Sequence, residues 1–193
     1  MFAKEFAVPK SVDIQRELTD IHIQEWLRED VFHFKWWFLI AFLVILALIW
    51  WMMLDKSRSM EICLFVILSV IVFMGINEYG EELTLWDYPT DLIPIFPPLS
   101  SVNLISFPLI YSLVYQRFGK GKRFVYAVII TSAAVCFLFE PLLTKGGFYY
   151  LIHWQYYFSF PIYTIVAIGI KAAVMKIYAI REKNQISVPA NRN

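Results

Sequence analysis

Five carboxylates, Glu78, Glu81, Glu82, Asp87 and Asp91, fall within NEYGEELTLWDYPTDLIPIFPP, residues Asn77 to Pro98, and no basic residue accompanies them. Acids this dense beside Trp86 and Tyr88 suit three chemistries: holding a cation, relaying protons, or acting as a general acid and base. Glu140, in the stretch FEP, differs because it closes an apolar run instead of sitting in a polar one. A carboxyl there must find partners, since burying an unpaired charge is costly. Asn77, Asn103 and His153 are the uncharged polar groups expected at the same level. The candidate binding residues are therefore Asn77, Glu78, Glu81, Trp86, Asp87, Tyr88, Asn103, Glu140 and His153.

Other chemistries have little support. No HxxxH, CxxC or EF-hand pattern occurs, so no metal site is expected. GxSxG is absent, and GKGKR lacks Walker spacing, so neither a nucleophilic serine nor a nucleotide or other cofactor is expected. No catalytic residue is assigned. Seventeen basic and sixteen acidic residues nearly cancel, with no basic run interleaved with aromatics, which argues against nucleic acid as a partner.

The elements that hold these residues follow from the solvent. Hydrophobic residues make up 59% of the chain and aromatics 18%, with a mean hydropathy of +0.57. Soluble domains are about 45–50% apolar, so the partner is a lipid bilayer. Five segments are long and apolar enough to be read as spans of a ~30 Å hydrocarbon core: Trp36–Leu54, Met60–Asn77, Leu99–Tyr115, Phe124–Leu143 and Tyr156–Met175. The expected fold is an all-α polytopic membrane helix bundle of about five transmembrane helices, kinked at Pro108 and Pro161. No small-residue cleavage site follows the first apolar run, so that run is expected to remain as an anchor.

Basic residues cluster after the first, third and fifth segments (Lys56, Arg58; Arg117, Lys120, Lys122, Arg123; Lys176, Arg181, Lys183, Arg192). Basic loops stay cytoplasmic, so the orientation is N-out/C-in and the acidic loop faces outward. The expected organisation is an extracytoplasmic leader over residues 1–35, a five-helix domain over 36–175 and a polar cytoplasmic tail over 176–193. SVDIQRELTDIHIQEWLREDVF in the leader reads as a short interfacial amphipathic helix, and REKNQISVPANRN as a disordered tail. Cys63 and Cys136 fall at different depths and are expected to be free, buried small hydrophobes. Lys171 is expected to snorkel to the cytoplasmic interface.

Four prolines and the extended bias each imposes on its predecessor forbid a helix through WDYPTDLIPIFPP. Trp86, Tyr88, Ile95 and Phe96 are expected to dip toward head groups while Asp87 and Asp91 stay wet, and Glu81 is read as a solvated loop acid.

The order of FKWWF before the first span, LWDYP between the second and third, FPLIYSLVYQ closing the third, FEPLL closing the fourth and YFSFPIY opening the fifth resembles a family of small five-span membrane proteins. That family, of unknown function, occurs in endospore-forming Gram-positive bacteria, and the resemblance runs from about Trp26 to Met175. Asn77 departs from it, standing where an acid is expected. The resemblance implies a cytoplasmic or spore-associated membrane and supplies no reaction. The function expected from the residues is a binding or transport-like module whose outward acidic and aromatic pocket takes a cation or small amphiphile. A membrane enzyme acting on a lipid or isoprenoid, with Glu140 and one of Glu78, Glu81 or Asp87 as an acid/base pair, and a structural or assembly protein are the alternatives.

Overall fold

The computed structural model describes residues 9–94, 102–119 and 121–186, and they form an all-α membrane protein. A leader helix, α1 (Lys10–Glu25), ends in a π turn over Trp26–Asp30. The bundle follows: α2 (Phe34–Met53), α3 (Ser59–Glu82), α4 (Val102–Phe118), α5 (Gly121–Ala134), a second π turn (Val135–Phe139), α6 (Glu140–Lys145) and α7 (Tyr156–Ile186). Among the described residues four helical stretches are long and apolar enough to cross a membrane: Phe34–Met53, Lys56–Glu82, Gly121–Lys145 and Tyr156–Lys183. Helix α4 has 17 residues and packs among them.

Bundle helices consecutive in the chain alternate in direction. Trp50 Nε1 donates to Ser112 Oγ at 2.7 Å and Asp55 N to Gln116 Oε1 at 3.0 Å, so α2 and α4 run parallel. Helix α3 runs against α4, because Phe65 stacks on Tyr115 while Phe73 meets Phe107. Tyr115 meets Phe124 while Tyr111 bonds Ser132 at 2.8 Å, which turns α5 against α4. Helix α7 reverses again, since Tyr163 reaches Glu140 and Lys171 lies over the Phe124 ring at 4.2 Å. These aromatic contacts are the core. The opposite surface carries exposed Val44, Ile45, Leu48, Ile67, Ile71, Ile130 and Ile165, as hydrocarbon solvation allows.

Several boundaries differ from the sequence reading. Helix α3 continues past Asn77 to Glu82, so Glu78, Glu81 and Glu82 belong to a helix and not to a loop. It stops in a Schellman arrangement: Leu85 N donates to Gly80 O and Thr84 N to Glu81 O, both at 2.8 Å, with Thr84 left-handed at φ 51°. Threonine at a position that favours glycine hides this stop from the sequence. Helix α7 likewise runs on through the polar residues to Ile186, eleven residues beyond the expected end at Met175, because Arg181, Glu182 and Lys183 are good helix formers. Cys63 is exposed on the lipid-facing side and only Cys136 is buried; both are free. Lys171 lies on Phe124. The leader is helical as its periodicity requires, with Ile14, Leu18, Ile21 and Leu27 exposed and Trp26 partly covered.

At one end of the bundle, Trp86–Asp87 (β1) and Tyr150–Leu151 (β2) pair as a short antiparallel ribbon, in register Trp86↔Leu151 and Asp87↔Tyr150. No helix forms between Leu83 and Pro94, as the prolines require. The leader and the first turn of α2 tie this loop down: Trp26 Nε1 donates to Asp91 O at 3.0 Å, Asp91 N to Asp30 Oδ2 at 3.2 Å, and Trp36 Nε1 to Leu92 O at 3.3 Å.

Candidate functional site

Glu140 is the central acid. It is 0% exposed, and its Oε1 accepts the Tyr163 hydroxyl at 2.6 Å. Its Oε2 is buried without a hydrogen bond. Local chemistry explains how an acid leaves the lipid face. Pro141 has no N–H and its ring crowds the carbonyl four residues back, so the ladder widens to a π turn over Val135–Phe139. Phe137, Leu138 and Phe139 remain half exposed, and the next side chain, Glu140, turns inward.

Above Glu140 lies a small cleft. Asn77, Trp86, Tyr88, Tyr149, Trp154, Ser159 and Tyr163 are among its walls, and its free space is about 10 Å³, the room of about one water molecule. Aromatic contacts build the lid, with Tyr88 stacked on Tyr149 and Trp86 edge-on to Trp154, both at 5.1 Å between ring centres. Tyr88 Oη donates to Asn77 Oδ1 at 2.9 Å, and Asn77 Nδ2 donates to Phe73 O at 2.9 Å. Trp154 Nε1 donates to Ser159 Oγ at 2.9 Å. Trp86 Nε1, in the same wall, is buried without a partner. Gly80 makes the lid possible, because a side chain there would overlap the Trp86 indole.

The site therefore gathers part of the expected set. Asn77, Trp86 and Tyr88 line the cleft and Glu140 joins it through the wall residue Tyr163, whereas Glu78, Asp87 and His153 are exposed. His153 Nδ1 meets Thr84 O at 3.1 Å and its N–H binds Leu85 O at 3.0 Å, so it fastens the ribbon. Trp86 and Tyr88 correct the expectation of side chains dipping toward head groups: they are 7% and 5% exposed and pack inside the protein. Asp91 is partly covered against the leader, whereas Asp87 is wet. Glu81 is also corrected, being half-buried with Oε1 unbonded instead of a solvated loop acid. Asn103 stands in the first turn of α4 with its side chain outside the described residues, as are Ile95 and Phe96.

Tyr149, Ser159 and Tyr163 escaped the sequence reading. A signal existed for two of them: Ser159, Tyr163, Ala167, Ile170 and Val174 recur at helical spacing and are all buried, so the polar pair occupies the inward stripe of α7. Among the described residues no cluster of three or more potential metal ligands occurs. Among the described residues no second carboxylate is a leading influence on Glu140, and neither ion pair includes it.

Comparison adds no relative. No family model, curated protein or solved structure matches the chain. The functional reading rests on this geometry.

Proposed function

We propose that the protein is a multi-pass membrane binding protein whose Glu140 takes up a proton or a small cation through the aromatic cleft. The observation that carries the reading is a fully buried carboxyl, one oxygen held by Tyr163 and the other unbonded, with no part in either ion pair among the described residues. An ionised carboxylate in such surroundings demands a counter-charge, and a proton or small cation supplies it. The cleft's size favours an occupant of about water size over an amphiphile. Glu78 and Asp87 are exposed, and the half-buried Glu81 is not among the groups acting on Glu140, which favours binding over acid/base catalysis with a second carboxylate.

In this reading α4 is the third of five spans and the ribbon end is extracytoplasmic. The alternation of helix directions and the basic residues at the opposite end support that orientation. A cell membrane is the corresponding location.

Infrared difference spectra of the protein in lipid nanodiscs, recorded between acid and neutral pH and then with added Na⁺ or K⁺, test the site. A carboxyl band that responds to pH or cation should vanish in Glu140→Gln and shift in Tyr163→Phe, which removes one hydrogen bond. Wild-type and Glu140→Gln spectra that respond identically would refute the assignment.

A further inference from the structure

A second concavity lies away from the cleft's polar groups, between α2, α4 and the π turn with α6. It has a volume of about 240 Å³ and is lined by Phe38, Phe42, Ser106, Ile110, Phe139 and Leu142 among others. The rim residues Phe38, Phe139 and Leu142 are about half exposed, so the groove opens sideways toward the surrounding lipid. Two polar features interrupt this apolar surface. Ser106 Oγ is buried without a hydrogen-bond partner. Lys35 stands at the groove's end, with Nζ donating to Gly147 O at 2.9 Å and lying 5.5 Å from the ring of Phe148, another wall residue.

The chain makes specific room for that ammonium. Gly147 has φ 70°, and a side chain there would approach Lys35 Nζ to 2.8 Å. Among the described residues no carboxylate lies within ion-pair distance of Lys35; Asp30, the acid whose field it modifies, bonds instead to Asp91 N. Lys35 has three N–H donors and the carbonyl takes one. Ser106 lies deeper. The parallel pairing of α2 with α4 sets it opposite Val44, roughly 13 Å beyond Lys35 at ~1.5 Å per residue. The groove thus runs from an ammonium with no ion-pair partner among the described residues into the depth where hydrocarbon is the solvent.

We propose that this groove seats one alkyl chain of an anionic glycerophospholipid from the surrounding leaflet, with the lipid phosphate on Lys35. The apolar walls match the chain, the ammonium matches the phosphate, and the Ser106 hydroxyl lies along the chain's path. The inference is independent of the Glu140 reading, since the two sites differ in their polar groups.

Native mass spectrometry of the full-length protein in detergent, titrated with phosphatidylglycerol or with phosphatidylcholine of the same chains, provides the test. The expected result is one tightly held phosphatidylglycerol, favoured at least fivefold over phosphatidylcholine. Lys35→Gln should bring that ratio close to one. Ile110→Trp and Ser106→Leu, each filling the groove, should weaken phosphatidylglycerol binding at least fivefold while helical content and elution volume stay unchanged; if one variant fails to fold, the other decides. Equal binding of both lipids by the wild type would overturn the proposal. So would undiminished binding in the folded groove variants, or an equal effect of glycerol 3-phosphate alone.

Discussion

Thr84 shows what one residue does at a boundary. It occupies the left-handed position that ends α3, where a β-branched side chain is disfavoured. Asparagine tolerates that conformation, so Thr84→Asn should raise stability by about 1 kcal/mol, seen as a higher Tm in detergent; a lower Tm would contradict the strain. Gly80→Ala works in the opposite direction, because its new methyl would overlap the Trp86 ring. A loss of roughly 1–3 kcal/mol and a red-shifted tryptophan emission are expected, and an unchanged spectrum would mean the lid does not rest on α3 in this way. Asp30 supplies a pH signature. Burial raises its carboxyl above the ordinary range, although the Asp91 N–H bond pulls the other way. The folded state therefore holds that proton more tightly than the unfolded chain does, and the associated stability is full below about pH 3.9 and lost as pH rises through the folded value. The Tm of wild type relative to Asp30→Asn should fall as pH rises across that window; a flat or rising difference would reject the burial argument. Asp55 is the contrast: the Ser57 hydroxyl and N–H hold it below the ordinary range, so its contribution is present above the unfolded value and fades as pH falls through the folded one.

At the scale of elements, the acidic loop is held by the leader as much as by the bundle. Trp26 and Asp30 grip Asp91, and Trp36 grips Leu92, so the π turn that closes α1 and the first turn of α2 together hold residues 91–92. Trp26→Phe keeps an aromatic ring and removes the donor. The loss expected is about 0.5–1.5 kcal/mol, together with faster hydrogen exchange over residues 85–92. Exchange as slow as in the wild type would show that the leader only lies on the surface. The other π turn has a different task, since it lets three lipid-facing residues precede an inward Glu140. Helix periodicity alone carries the apolar stripe forward and gives no warning of the widened turn.

At the scale of the molecule, alternation of the helices sets Thr84 and Gly119 at opposite ends. Gly119 lies beside the Arg58 guanidinium, which bonds Glu61 at 2.8 Å at the end away from the ribbon. Single cysteines at these two positions, in a chain lacking Cys63 and Cys136, should differ in labelling by an impermeant thiol reagent. Thr84→Cys should react from outside intact cells and Gly119→Cys should not. The reverse pattern would invert the proposed orientation, and equal labelling would exclude α4 as a span.

The amino-acid sequence by itself determined that this chain is an all-α membrane protein, because runs of about twenty apolar residues have no other way to satisfy their backbone groups in lipid. It also determined that the proline-rich loop breaks the helices and that Glu140 differs from the loop acids, since both are local consequences of residue type. Which acid is buried, and with whom, was not local. Glu78 and Asp87 are exposed while Glu140 meets Tyr163, twenty-three positions away, only because α7 folds back along α5 and the π turn that follows it. The inward roles of Trp86 and Tyr88 and the groove beside Lys35 were likewise decided by tertiary packing: each depends on a neighbour distant in the chain, and neither propensity nor hydrophobic period contains that neighbour.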